Sequence, residues 1–157
     1  MTKILDINTV LQEDIIDIIE LDRENYGAPP ENSGIKVNIE NASFTEPQAW
    51  EDAEWNWFYN FAGAIQLAKV LGRILPSIEQ LIVSINTTPD NFHQNVGYRY
   101  GNDGKFYGRG KFSFFWSSSE FGYYGAYSAY LDPGTFSSKD WGSRCDGISV
   151  RFIMNKN

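Results

Sequence analysis

The chain of 157 residues carries 20 acidic and 13 basic side chains, a formal charge of -7. That length suits one domain with a core of useful size. The negative balance argues against a general nucleic-acid binder, whose affinity comes from Lys and Arg on phosphates. One cysteine, Cys145, excludes an internal disulfide framework and a Cys-based zinc site. One histidine, His93, leaves no set for a histidine metal cluster and no spare for a catalytic triad.

The first periodic segment runs from Thr9 to about Glu24. Thr9 with Gln12 has the form of a capping box, and Leu11, Ile15, Ile18 and Ile19 share one helical stripe. Residues 25–49 read as loop, with a short strand at Ile35–Ile39. Trp50 to Leu71 is aromatic and then helical: Phe61, Ala64, Ile65, Ala68 and Leu71 make one apolar face, and Gly72 is the expected stop. Ser77 with Gln80 opens a second helix with Ile78, Leu81, Ile82 and Ile85 on one side.

After Asn91 the period changes to two. Lys111–Trp116, Gly125–Leu131 and Gly147–Ile153 read as three strands between turns. Phe112, Phe114 and Trp116 are expected in the core. Tyr127, Ala129 and Leu131 are expected on a core face of the second strand, with Ser128, Tyr130 and Asp132 on an exposed one. Helices first and a clustered sheet after them is the α+β order. The chain is not uniform along its length. Residues 1–60 hold 13 acids and 3 bases, whereas 16 of the 25 aromatics lie from Gly97 onward, which suggests an acidic, partly helical front and a Gly/aromatic-rich β back end of the same domain. No apolar run reaches the length of a membrane span, and no signal peptide is evident. The expectation is a product that is cytoplasmic as synthesised, with association to a virion or larger particle as one outcome.

Several chemistries fail on spacing. Gly101–Lys111 invites a phosphate loop, but five residues separate Gly104 from Gly110, and Phe112 follows Lys111 in a strand pattern. Ser117, Ser118 and Ser119 have no base at hand. Glu120, Asp132, Asp140 and Asp146 sit among turn residues, where acids serve the local backbone. A calcium site from Asp132, Asp140 and Asp146 lacks regular ligand spacing. What remains is Phe121–Asp146, where Tyr, Ser, Gly, Asp and Trp make the composition of a recognition surface.

At these residues a family comes into view. Asn95-Val-Gly-Tyr-Arg99, Gly108-Arg-Gly110, Phe115-Trp-Ser-Ser-Ser-Glu120, Ala126-Tyr127 and Gly147-Ile-Ser-Val-Arg151 resemble the C-type-lectin-fold variable proteins of diversity-generating retroelements and the Fibrobacter-type paralogous domain. Gly72-Arg-Ile-Leu-Pro76, between its two helices, is also similar to the formylglycine-generating enzyme group. The resemblance spans about residues 60–153; the first 45 residues lie outside it. It implies a C-type lectin fold, two helices on a small twisted antiparallel sheet with long Gly/Ser-rich loops, in a single domain 1–157. Residues 1–45 would be an acidic helix and extension, 46–157 the lectin-like core, and 115–153 the variable region.

The resemblance further implies ligand binding through residues exchanged by adenine mutagenesis. Those positions would be Phe121, Gly122, Tyr123, Tyr124, Ser128, Tyr130, Asp132, Phe136, Ser138, Asp140, Trp141, Gly142, Ser143, Cys145 and Asp146, although Lys139 and Trp141 cannot come from the mutated Asn-type codon. The implied partner is a protein ligand, with no nucleic acid, no membrane span, no metal, no cofactor and no catalytic residue. The calcium and sugar motifs of lectins are not matched at Glu46-Pro-Gln48 or Trp141-Gly-Ser143. A formylglycine-generating enzyme needs a cysteine pair. An undiversified structural or adhesive module is the alternative reading.

Overall fold

The structure is a computed structural model that describes residues 27–87, 92, 95–133 and 137–154. The helix expected at 9–24, His93 and Phe136 lie outside the described residues. The order is β1 Lys36–Val37, β2 Gln48–Glu51, β3 Trp57–Tyr59, α1 Phe61–Leu71, β4 Arg73–Ile74, α2 Ile78–Thr87, β5 Tyr98–Arg99, β6 Phe106–Tyr107, β7 Ser113–Phe121, β8 Gly125–Leu131, β9 Ser138–Ser143 and β10 Ile153–Met154. This is α+β: two helices with small sheets that are antiparallel apart from the parallel pair β1–β2. Among the described residues no helix is long and apolar enough to cross a membrane.

The helix ends follow local chemistry. Asn60 caps α1 by accepting the Gly63 N–H. Gly72 ends it at φ 67, a left-handed turn that costs glycine little. Ser77 and Gln80 bond reciprocally: the Ser77 N–H donates to Gln80 Oε1 at 2.9 Å, and the Gln80 N–H donates to Ser77 Oγ at 3.2 Å. The capping box expected from the sequence therefore starts α2.

Sheet β7–β8–β9 is covered on both faces. On one, Phe115, Ala129 and Leu131 pack with Ile78, Leu81 and Ile85 of α2. On the other, Trp116 and Ala126 join Tyr59, Leu67 of α1 and Ile148. The two helices thus serve two cores separated by one sheet. This double cover corrects two expectations. Ser128 is fully buried rather than exposed, because its side of β8 faces the larger core. Phe115, not only Trp116, is a core residue, while Phe114 and Phe112 are half-buried.

The third strand is also corrected. It is Ser138–Ser143, an edge strand beside β8. The segment expected as that strand, Gly147–Ile153, is buried over 147–152 and runs between sheets, and its last residue enters β10. It makes single bridges: Gly147 to Arg99, Ile148 to Tyr59, and Ser149 to Phe115. Its alternation of Ile148, Val150 and Phe152 is real, but its polar alternates are enclosed as well.

Between Trp116 and Glu120, β7 bulges. Ser118 donates its N–H to Pro76 O at 2.8 Å, and Ser119 Oγ accepts the Ile78 N–H at 3.0 Å. Ser117 Oγ donates to Tyr127 O at 2.7 Å. The three serines therefore hold β7 to β8 and to the start of α2.

Candidate recognition surface

The turn joining β7 to β8 is residues 122–124, with Gly122 at φ 66. Tyr123 is 84% exposed and Tyr124 62%. Their rings stand edge to face at 4.9 Å, and Tyr124 meets Phe44 of the 40–46 loop at 5.3 Å. On one face of the sheet beside this turn, Phe121 lies against Trp141 at 5.2 Å and an interplanar angle of 31°. Trp141 is 53% exposed. Tyr127 continues that strip, 5.0 Å from Phe121, with Lys139 Nζ 4.2 Å above its ring. A Cβ on Gly125 would meet Trp141 Cε3 at 3.1 Å and Phe121 O at 2.8 Å, so a glycine there lets the rings close over the backbone.

Arg144 fixes the turn. Its Nε donates to Gly125 O at 2.9 Å, and its Nη2 donates to Gly122 O and Glu120 Oε1, both at 3.2 Å. Its guanidinium sits 5.0 Å over the Phe61 ring, and its backbone N–H donates to Tyr124 O. The side chain is shielded, with 18% exposure, so water competes poorly with these bonds. On its far side opens a cleft of about 490 Å³, lined by Phe44, Thr45, Glu120, Gly122, Tyr123, Tyr124 and Arg144.

Phe44 and Thr45 are held by Asn60. Its Nδ2 donates to Ser43 O at 3.0 Å and Glu46 O at 2.9 Å, while its Oδ1 accepts from Gln48 N and Gly63 N. One fully buried amide thereby caps α1 and sets the loop on the cleft wall.

The fifteen expected positions do not form one surface. Phe121, Gly122, Tyr123, Tyr124 and Trp141 come together at the hairpin end, exposed. Ser138 and Asp140 are exposed on β9, but on the opposite face from Trp141, because alternate residues of a strand point to opposite sides. Tyr130 and Asp132 lie on that second side, half-buried. Tyr130 packs on Phe112 and Phe114 and donates its hydroxyl to Asp132 Oδ2 at 3.0 Å. Burial and then this bond hold the Tyr130 hydroxyl above its ordinary pKa. Ser143 is half-buried, with Oγ 3.1 Å from Cys145 Sγ.

Four positions are buried and are corrected accordingly: Ser128, Gly142, Cys145 and Asp146. A Cβ on Gly142 would press on Ile148 and Trp116 at 3.0 and 3.2 Å, so this glycine belongs to the core seam. Cys145 lies under the Gly101 backbone, where a Cβ would come within 2.5 Å of its sulfur. Asp146 is an internal tie: Oδ1 accepts the Gly101 N–H at 2.8 Å, and Oδ2 accepts the Ser143 N–H at 3.2 Å. Among the described residues no three His, Cys, Asp or Glu side chains gather into a metal-ligating group.

Burial holds the Asp146 carboxyl above the ordinary carboxylate range, against the pull of its two N–H donors and of Arg99. The folded chain therefore binds this proton more tightly than the unfolded chain. Its stabilising contribution is present below the unfolded pKa and is lost as pH rises through the raised folded value. Thermal denaturation of wild type and Asp146→Asn from about pH 7 to about pH 4 should show the wild type gaining on the variant as pH falls. A gap that stays constant would show that Asp146 does not titrate in this way.

The sequence missed two parts of the surface, Phe44 and Arg144, and did not assign the hairpin of β5 and β6. In that hairpin Tyr107 donates to Asp103, and Asn102 donates to the Tyr100 hydroxyl at 2.9 Å. The Tyr107 bond holds the Asp103 carboxyl below its usual range. Through Asp146 the hairpin is fastened next to Ser143. Comparison of the chain with protein-family models, with curated proteins and with solved structures gave no match.

Proposed function

We propose that this protein binds a macromolecular ligand through the β7–β8 hairpin end, on a C-type lectin scaffold, without calcium and without catalysis, and that a retroelement diversifies the exposed positions. The observation that carries the reading is the cluster of Phe121, Tyr123, Tyr124 and Trp141. These large rings stand exposed together on and beside a turn that Arg144 fastens by its hydrogen bonds. Rings of this kind supply contact area with few rotors to freeze, and a rigid turn lowers the ordering cost of binding. A protein is the favoured ligand, because the rings are spread along an exposed hairpin end beside an open cleft rather than enclosed in a pocket.

Burial narrows the exchangeable set. Ser128, Gly142, Cys145 and Asp146 belong to the scaffold, and the hairpin end with Ser138 and Asp140 is open to exchange. Sequencing the DNA around the coding region tests the reading. The expected result is a near-copy of the 3′ coding sequence, differing at adenines and lying beside a reverse transcriptase gene, with substitutions confined to the exposed positions. The absence of such a repeat removes diversification. Substitutions concentrated at the four buried positions would remove the assignment of this surface.

A further inference from the structure

The cleft beside the β7–β8 turn is lined by one basic side chain, Arg144, and one acidic side chain, Glu120. The two are unequally held. Arg144 is shielded and bonded to the carbonyls of Gly122 and Gly125. Glu120 is 68% exposed and reaches Nη2 with a single oxygen at 3.2 Å. An exposed contact of this kind contributes little and is easily exchanged. Among the described residues Arg144 Nη1 has no hydrogen-bond partner. A guanidinium presents Nη1 and Nη2 side by side, a fork that matches the two oxygens of one carboxylate. Glu120 uses half of that fork.

The cleft's remaining large side chains are rings. Phe44, Tyr123 and Tyr124 line it and touch in series, and all three are exposed. An incoming carboxylate can take the place of Glu120 at Nη2 and add Nη1, while Glu120 turns into the water that already surrounds it. An apolar group beside that carboxylate would cover the rings. A phosphate brings more negative charge than one guanidinium offsets next to Glu120, so a carboxylate suits the site better. The acid excess of the chain lies elsewhere: residues 61–157, which supply the hairpin end, hold 7 acids and 10 bases.

We propose that the partner of this surface is a protein that places an Asp or Glu side chain, flanked by an apolar residue, in the cleft, where its carboxylate displaces Glu120 from Arg144. This rests on the hairpin end being the recognition surface and names the anchor of its ligand. The test uses the full chain to select short random peptides from a display library, and the enriched peptides are titrated against purified variants. Arg144 is left intact because it also fastens the turn. The expected result is an Asp or Glu beside an aromatic or aliphatic residue in the enriched peptides. Changing that acid to its amide should weaken binding by about tenfold or more, and Tyr124→Ala should do the same. Glu120→Gln should tighten binding by about threefold or more, because the competing charge is gone while an oxygen remains for Nη2. Such a gain cannot come from unfolding. If the enriched peptides need Tyr124 but no acid, or if Glu120→Gln fails to tighten them, the acidic anchor is overturned and the recognition surface stands. If no enriched peptide depends on Tyr124, the surface reading falls together with the anchor.

Discussion

Replacing Trp116 by Ala should remove about 3–5 kcal/mol of stability, the largest loss expected from any single truncation in this core. The ring is fully buried and reaches three parts of the fold. Its Nε1 donates to Tyr59 O at 2.7 Å, its face meets Phe61 of α1 edge-on at 5.5 Å, and its outer edge lies against Gly142 of β9. Because Gly142 offers no side chain to move inward, the cavity cannot close from that side. A domain of this kind has a net stability of about 5–15 kcal/mol, so the variant should be largely unfolded in moderate denaturant. Trp116→Phe should lose less, since it keeps most of the packing and forfeits the indole bond. Guanidinium denaturation of both variants decides the matter. A Trp116→Ala loss under about 1 kcal/mol would mean that this ring does not anchor the larger core.

Asn60→Asp should be nearly as damaging although it changes one atom type. The acceptor Oδ1 survives, but the donor Nδ2 becomes an oxygen facing the carbonyls of Ser43 and Glu46. A fully buried carboxylate opposed by two carbonyl oxygens should cost about 3 kcal/mol or more at neutral pH. The pH dependence identifies the cause. Protonation of the new acid removes the charge and restores one donor, so the deficit should shrink as pH is lowered. A deficit that does not vary with pH would place the damage elsewhere, in the cap of α1. The Phe44 side of the β7–β8 cleft should loosen in parallel, because the Asn60 side chain ties that loop to the helix. Faster hydrogen exchange at residues 43–46 is the expected sign.

Local chemistry was readable from the residues, and tertiary placement was not. Gly72 and the Ser77–Gln80 box mark helix boundaries because caps depend on the nearest few residues. Gly125–Leu131 was readable as a strand because its turns and alternation agree. Ser128 was misplaced because alternation assigns one wet face to each strand, whereas β8 lies between two cores. β9 was missed because Ser138-Lys-Asp-Trp-Gly-Ser143 has one apolar side chain in an edge strand. Asp146 and Cys145 have the composition of a variable loop, and only the approach of Gly101 shows that both are enclosed. Phe44 and Arg144 reach the hairpin end from elsewhere in the chain, through contacts that leave no period or motif.

The bulge of β7 carries a rule about length. The strand pairs Trp116 with Ser128 and Glu120 with Ala126, so four steps along β7 match two along β8. The surplus is even, and parity is kept: Trp116 and Glu120 stay on one side and Phe115 and Phe121 on the other. Losing or gaining one serine would invert that parity and turn Phe121 away from Trp141, dismantling the aromatic strip without altering any of its residues. A change of two would keep Phe121 in phase and alter only the reach toward α2. Chains built on this plan should therefore differ in this segment by whole pairs of residues, whatever side chains they display beyond it.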